Sequence, residues 1–167
     1  MPSIYTHNIF AKTVYKQFDN KTQKLIKSKK NIYEIFSQSF DFLYYYNFLS
    51  LLPGKKIRKL GRYCHRNNTQ AYLINIIKYI KKNNLYKKSD ILAYLYGSIN
   101  HYTLDTTMHP YINYLSEISK NKISMHTKIE FEIDAYYYET LTGEKFYKYN
   151  ISNDLLKRAT FSKRLNV

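Results

Sequence analysis

The chain has 167 residues, 44% of them hydrophobic, with only 4 Gly and 3 Pro; that is enough for one domain with a real core, and with the helical periodicity from Asp90 to Leu141 it favours a compact helical protein over a sandwich or a disordered chain. The formal charge is +15 and lopsided, with 18 Lys/Arg against 3 acids in residues 1–88 and 9 against 9 in residues 89–167. A single cysteine excludes an intramolecular disulfide and a thiolate metal cluster, so any metal must rest on imidazole and carboxylate.

Residues 4–18 repeat apolar side chains at three- and four-residue steps through Phe10, Val14 and Phe18, which predicts a helix with His7 near its start. Residues 20–31, rich in Lys and Asn, read as a solvated surface segment, followed by a short helix around Ile32 to Phe36. Asp41 is the sole carboxylate between Glu34 and Asp90 and stands in an aromatic run. Burying it requires a cation or hydrogen-bond donors, unless it simply caps a helix.

A long helix is expected over 57–82, with Leu60, Cys64, Tyr72, Ile76 and Ile80 on its apolar face, His65 beside that face, and Cys64 a small buried residue. Lys81 to Lys88 then forms a charged loop, and Ser89 or Asp90 caps the next helix. That helix, Asp90 to about His109, buries Leu92, Leu95 and Ile99, and Gly97 lets another backbone approach. Pro110 should end or kink it, with a further helical piece over Tyr111 to Ile118. Ser124 can cap a last helix that ends near Gly143, with Ile129, Ile133, Tyr136 and Tyr137 on the face adjoining His126. The basic tail is expected to be partly helical around Asp154 to Ala159. The fold class is therefore all-α, a compact multi-helix protein forming one domain over 1–167.

No segment joins a basic start, an apolar run and a small-residue cleavage site, and the longest apolar-rich run, Phe42 to Leu52, is too short to span a bilayer. A cytoplasmic protein with no transmembrane segment is expected. The basic first half would attract polyanions, either an anionic membrane surface or nucleic acid. Abundant Lys, Asn, Ile and Tyr also give it a simpler origin in AT-rich codons.

Two ladders carry chemistry. His101, Asp105 and His109 recur every four residues, as do His126, Glu130 and Asp134. On a helix, ligands four apart are separated by about 6 Å along the axis and stay on one face. The first ladder thus spans roughly 12 Å, too long for one zinc ion with bonds of about 2.0–2.2 Å, and favours two or more ions with Asp105 able to bridge a pair. Imidazole with carboxylate suits Zn²⁺, Mn²⁺ or Fe²⁺. As ordinary polar positions on amphipathic helices, the ladders would leave unexplained why three of five histidines each lie four residues from an acid.

The run Gly97 to Pro110, followed by His126-x-x-x-Glu130 and preceded by His7, Asp41 and His65, resembles the zinc-dependent phospholipase C family, which is related to the single-strand-specific zinc nucleases. The resemblance extends from His7 to about Asp134 and takes in all five histidines. It implies a helical domain with two to three Zn²⁺ ions. Asp41, His65, His101 and Asp105 would hold the first and His109, His126 and Glu130 the second. Asp105 would bridge to a third ion, held also by His7 and the amino terminus. Asp134 falls outside this set and is expected to orient an imidazole or a water from behind.

Family members begin at a Trp whose amine and carbonyl bind the third zinc. This chain has no Trp, so the amine of Pro2, exposed by loss of Met1, is the expected substitute. The expected function is a phospholipase C-like phosphoester hydrolase in which a metal-bridging hydroxide attacks phosphorus in line, with Asp41 as ligand or base and a phospholipid or other phosphodiester as substrate. The alternatives are a single-strand zinc nuclease and a non-catalytic, metal-stabilised helical binding module.

Overall fold

A computed structural model of the chain describes residues 4–45, 54–64, 69–119, 121–151 and 153–154. Among them secondary structure is helical throughout, with no strand. The helices are α1 (Ile4–Gln17), α2 (Asn20–Ile26), α3 (Lys30–Phe36), α4 (Phe42–Tyr45), α5 (Gly54–Tyr63), α6 (Thr69–Lys82), α7 (Ser89–Glu117) and α8 (Lys122–Thr142), with short 3-10 turns at Lys27–Lys29, Ser39–Asp41 and Phe146–Lys148.

The long α7 is the spine, packing against α1, α3, α6 and α8. Its character changes along its length. The first half buries Ile91, Leu92 and Leu95 in an apolar core shared with Ala11 of α1, Ile26 of α2 and Tyr33 of α3. The second half carries His101, Asp105 and His109, so the core fixes one end of the helix and the ladder occupies the other. Gly97 stands between them, where a Cβ would lie 2.5 Å from the Tyr33 carbonyl oxygen and 3.0 Å from the Phe36 carbonyl carbon. The close backbone approach expected at this glycine is that of α3. Tyr33 ties the layers together: its buried hydroxyl donates to the Ala11 carbonyl at 2.8 Å and accepts from the Asn100 amide.

Several local expectations are revised. The Lys- and Asn-rich 20–31 segment is helical, because Asp19 caps α2, accepting from the amides of Lys21 and Thr22 and from the Thr22 hydroxyl at 2.6 Å, and because Ile26 is fully buried. Of the helix expected over 57–82, the described parts are α5, to Tyr63, and α6, from Thr69, with the Thr69 hydroxyl donating to the Cys64 carbonyl; residues 65–68 lie outside the described residues. Leu60 is exposed and Cys64 only half-buried, with burial pushing its thiol up. The cap of α7 is Lys88, one residue before the two candidates.

Pro110 does not end α7, which runs on to Glu117. The residues beyond the proline, Ile112 and Ser116, are buried, and the Ser116 hydroxyl donates to the Ile112 carbonyl. Packing of that last stretch outweighs the hydrogen bond that the proline cannot donate. For α8 the cap is Asn121 and not Ser124, which lies inside the first turn and whose amide donates to the Asn121 side chain, and Gly143 closes the end in the left-handed conformation, φ 71°, its amide bonded to the Glu139 carbonyl. The rest of the aromatic run (46–52) and the tail beyond 154 lie outside the described residues.

Candidate metal centre

The ladder on α7 divides between two clusters. In the first, each oxygen of Asp105 faces a different imidazole: Oδ1 lies 3.2 Å from His7 Nε2 and Oδ2 lies 3.2 Å from His101 Nε2. The two rings are stacked at 4.6 Å. His101 is 1% exposed, and its Nδ1 is 3.2 Å from the Ser37 carbonyl. A carbonyl can only accept, so Nδ1 carries the proton and Nε2 is left to face the carboxylates. Asp41, also 1% exposed, brings Oδ2 to 3.8 Å from that same Nε2.

In the second cluster, Glu130 Oε1 lies 3.3 Å from His109 Nε2 and 3.1 Å from His126 Nε2, with the rings stacked at 5.5 Å. The hydrogen bond with Glu130 holds His109 above the usual imidazole range. Burial pushes Glu130 up, but opposing influences led by the hydrogen bond with His109, with the charge of His126 among them, hold this carboxyl below its ordinary value. The clusters meet at Asp105, whose Oδ1 is 3.9 Å from His109 Nδ1.

Helix α1 reaches the site through a clamp from α8. Asp134 Oδ2 accepts from the Tyr5 amide at 3.0 Å, and Oδ1 accepts from the Thr6 amide at 2.7 Å and the Thr6 hydroxyl at 2.6 Å. Tyr5 and Thr6 belong to the first turn of α1, where amides lack partners in the helix and negative charge is favoured, and α1 has no acid of its own there. His7 is the next residue. Asp134 therefore serves the backbone that carries this imidazole.

Burial and the neighbouring Asp105 charge push the Asp41 carboxyl well above the usual carboxylate range. In a chain of charge +15, no Lys or Arg lines the recess of His7, Asp105, His109 and Glu130, nor the open cleft of Thr69, Tyr102, Asp105, Thr106, His109, Pro110 and Asn113, among the described residues. The donors fit a divalent ion. Each cluster gathers three ligand atoms within 4.8 Å of one another, and the 3.1–3.3 Å nitrogen–oxygen separations match the roughly 3.3 Å edge of a tetrahedron with zinc-type bonds of about 2.0–2.1 Å.

Of the residues expected at the site, His7, Asp41, His101, Asp105, His109, His126 and Glu130 come together, and Asp134 stands behind them. His65 and the amino terminus lie outside the described residues. Sequence reasoning did not find the Ser37 carbonyl that orients His101, because a backbone acceptor leaves no mark in residue identity. Nor did it find the Thr6 hydroxyl, an unremarkable residue made significant by Asp134. A family model described as zinc dependent phospholipase C matches residues 6–163. No curated protein and no solved structure matches. An all-helical chain with two imidazole–carboxylate clusters, matched over nearly its whole length by that model, belongs to the zinc-dependent phospholipase C family.

Proposed function

We propose that the protein is a zinc-dependent phosphoester hydrolase of the phospholipase C type, acting on the phosphodiester of a phospholipid. The observation that carries this reading is the pair of clusters joined at Asp105, which has one carboxylate oxygen toward His7 and the other toward His101. Asp41, His101 and Asp105, with His65, would hold one ion; His109, His126 and Glu130 a second; and Asp105 with His7 a third. Bound zinc would supply Lewis acidity toward phosphoryl oxygens and a lowered pKa for water.

The chain's own residues set the stage for that chemistry. The Ser37 carbonyl fixes the tautomer of His101, and Asp134 sets His7 by clamping the first turn of α1. Burial and the Asp105 charge favour the neutral form of Asp41, and a bound cation would oppose them, favouring the carboxylate that would serve as ligand or proton acceptor. The cleft beside Asp105 and His109 gives substrate its access.

Elemental analysis of the purified protein, paired with hydrolysis of a chromogenic phosphocholine ester, tests the reading. Zinc at two to three equivalents is expected, and both zinc and turnover should fall in His101→Ala and Asp105→Ala. Full zinc content and undiminished hydrolysis in both variants would overturn it, and turnover of single-stranded DNA alone would move the assignment to a nuclease.

A further inference from the structure

Past Gly143 the chain turns back onto α8. Glu139 accepts from the Phe146 amide at 3.2 Å and from Lys145 Nζ at 3.1 Å, and the Phe146 ring lies 5.1 Å from Phe131 and 5.7 Å from Tyr138. Tyr149 follows, its ring 5.5 Å from Tyr138 on α8 and 5.1 Å from Tyr5 on α1. A turn then brings the next acid round, the Asn150 carbonyl accepting from the amides of Asn153 and Asp154, both at 3.2 Å. Asp154 ends on α1. Its Oδ2 accepts from the Asn8 side-chain amide at 2.6 Å and the Tyr149 hydroxyl at 3.4 Å, and its Oδ1 accepts from Lys12 Nζ at 2.9 Å.

Tyr5, Asn8 and Lys12 lie on one face of α1, and His7 stands about 100° round the helix from Asn8. Asn8 is 0% exposed, so its amide depends on an acceptor from the protein, and Asp154 supplies a charged one. The Asp134 clamp acts chiefly along the helix axis, the direction in which first-turn amides point. The bond from Asp154 lies off that axis and resists roll. With side chains reaching about 5–6 Å from the axis, a roll of about 10° shifts an imidazole by about 1 Å. Ligand sets tolerate only about 0.5 Å.

From this geometry we infer that Asp154 is a positioning residue for His7: through Asn8 it sets the roll of α1 that keeps the His7 imidazole against Asp105. The placement concerns the His7 ring itself, and its consequence for an ion rests on the zinc reading of the site. The ion pair with Lys12 plays the lesser part, because its partners are 31% and 29% exposed and water screens them.

Zinc titration against a chromogenic chelator, with the His7 ring signals followed by nuclear magnetic resonance in the metal-free protein, tests this. Asp154→Ala should weaken the most loosely held ion about tenfold, the lower end of what groups that orient ligands contribute. It should also move the His7 ring signals, identified by their loss in His7→Gln, while those of His109 and His126 stay. Asn8→Ala, which deletes the donor within a helix, should do the same, and the two changes together should be no worse than either alone. Asp154→Asn keeps an acceptor for Asn8 and should stay within about twofold of the parent, as should Lys12→Met.

A lower melting midpoint in Asp154→Ala and Asn8→Ala, with zinc affinity and His7 signals both unchanged, would mark an ordinary structural bond and overturn the inference. Lys12→Met matching Asp154→Ala would overturn it too, because the ion pair and not Asn8 would then set the roll. His7 signals that move in Asp154→Ala, in a protein whose parent binds no zinc, would instead refute the metal reading and leave the placement of His7 standing.

Discussion

Replacing Asp134 with alanine strips three hydrogen bonds from the first turn of α1 at once. The Tyr5 and Thr6 amides, at 3.0 and 2.7 Å from the carboxylate, would be left without this acceptor in a buried site. Orphaning a buried amide costs about 1–3 kcal/mol, while the Thr6 hydroxyl can turn elsewhere, so a loss of about 3–5 kcal/mol is expected. That is a large share of the about 5–15 kcal/mol that holds a typical domain together. Asparagine should cost less, about 1–2 kcal/mol, because an amide oxygen placed at Oδ1 keeps both Thr6 bonds and sacrifices only the one to Tyr5.

Urea unfolding followed by circular dichroism measures both variants. Titration of the surviving folded protein with zinc then reads the second consequence. His7 follows the clamped residues directly, so loosening the turn should weaken zinc binding in Asp134→Ala beyond what the lower stability explains. An Asp134→Ala protein within 0.5 kcal/mol of the parent, estimated as less than half of one orphaned amide, would refute the clamp. Unchanged zinc affinity would refute the link to His7.

Gly97→Ala should destabilise the protein by about 2–3 kcal/mol, because its Cβ would meet the Tyr33 carbonyl oxygen at 2.5 Å and backbone rather than a flexible side-chain tip must yield; a thermal-melt midpoint equal to the parent's would contradict this. The cap of α2 should be sensitive to acid. Hydrogen bonds from the Thr22 hydroxyl and amide and the Lys21 amide hold Asp19 below the usual aspartate value of 3.8. Its contribution is therefore fully present above that value and lost as pH falls through the lowered one. Asp19→Ala should melt earlier than the parent at pH 7, and the gap should close at strongly acidic pH; a gap independent of pH would show that the carboxylate charge is not what caps α2.

The helical class of the chain was legible in its periodicity because local spacing alone places apolar residues on one face. The end of α8 was equally plain, since Gly143 is a residue that adopts a left-handed φ of 71° without strain. The division of His101, Asp105 and His109 between more than one group followed from rise per residue, a property of any helix, and Gly97 announced a close approach because it lacks a Cβ.

Matters that depend on distant partners were not legible. Pro110 argued for a break, and the burial of Ile112 and Ser116 by residues far away in sequence carried α7 through it. The Lys- and Asn-rich start of α2 looked solvated until Ile26 found the core. Asp134 shared the four-residue spacing of His126 and Glu130, yet its oxygens go to a helix 128 and 129 residues away. Sequence spacing determined which side chains share a face, because that is fixed within a helix. Only the tertiary structure decided which backbone each face meets, because packing and hydrogen bonding between helices depend on the whole chain.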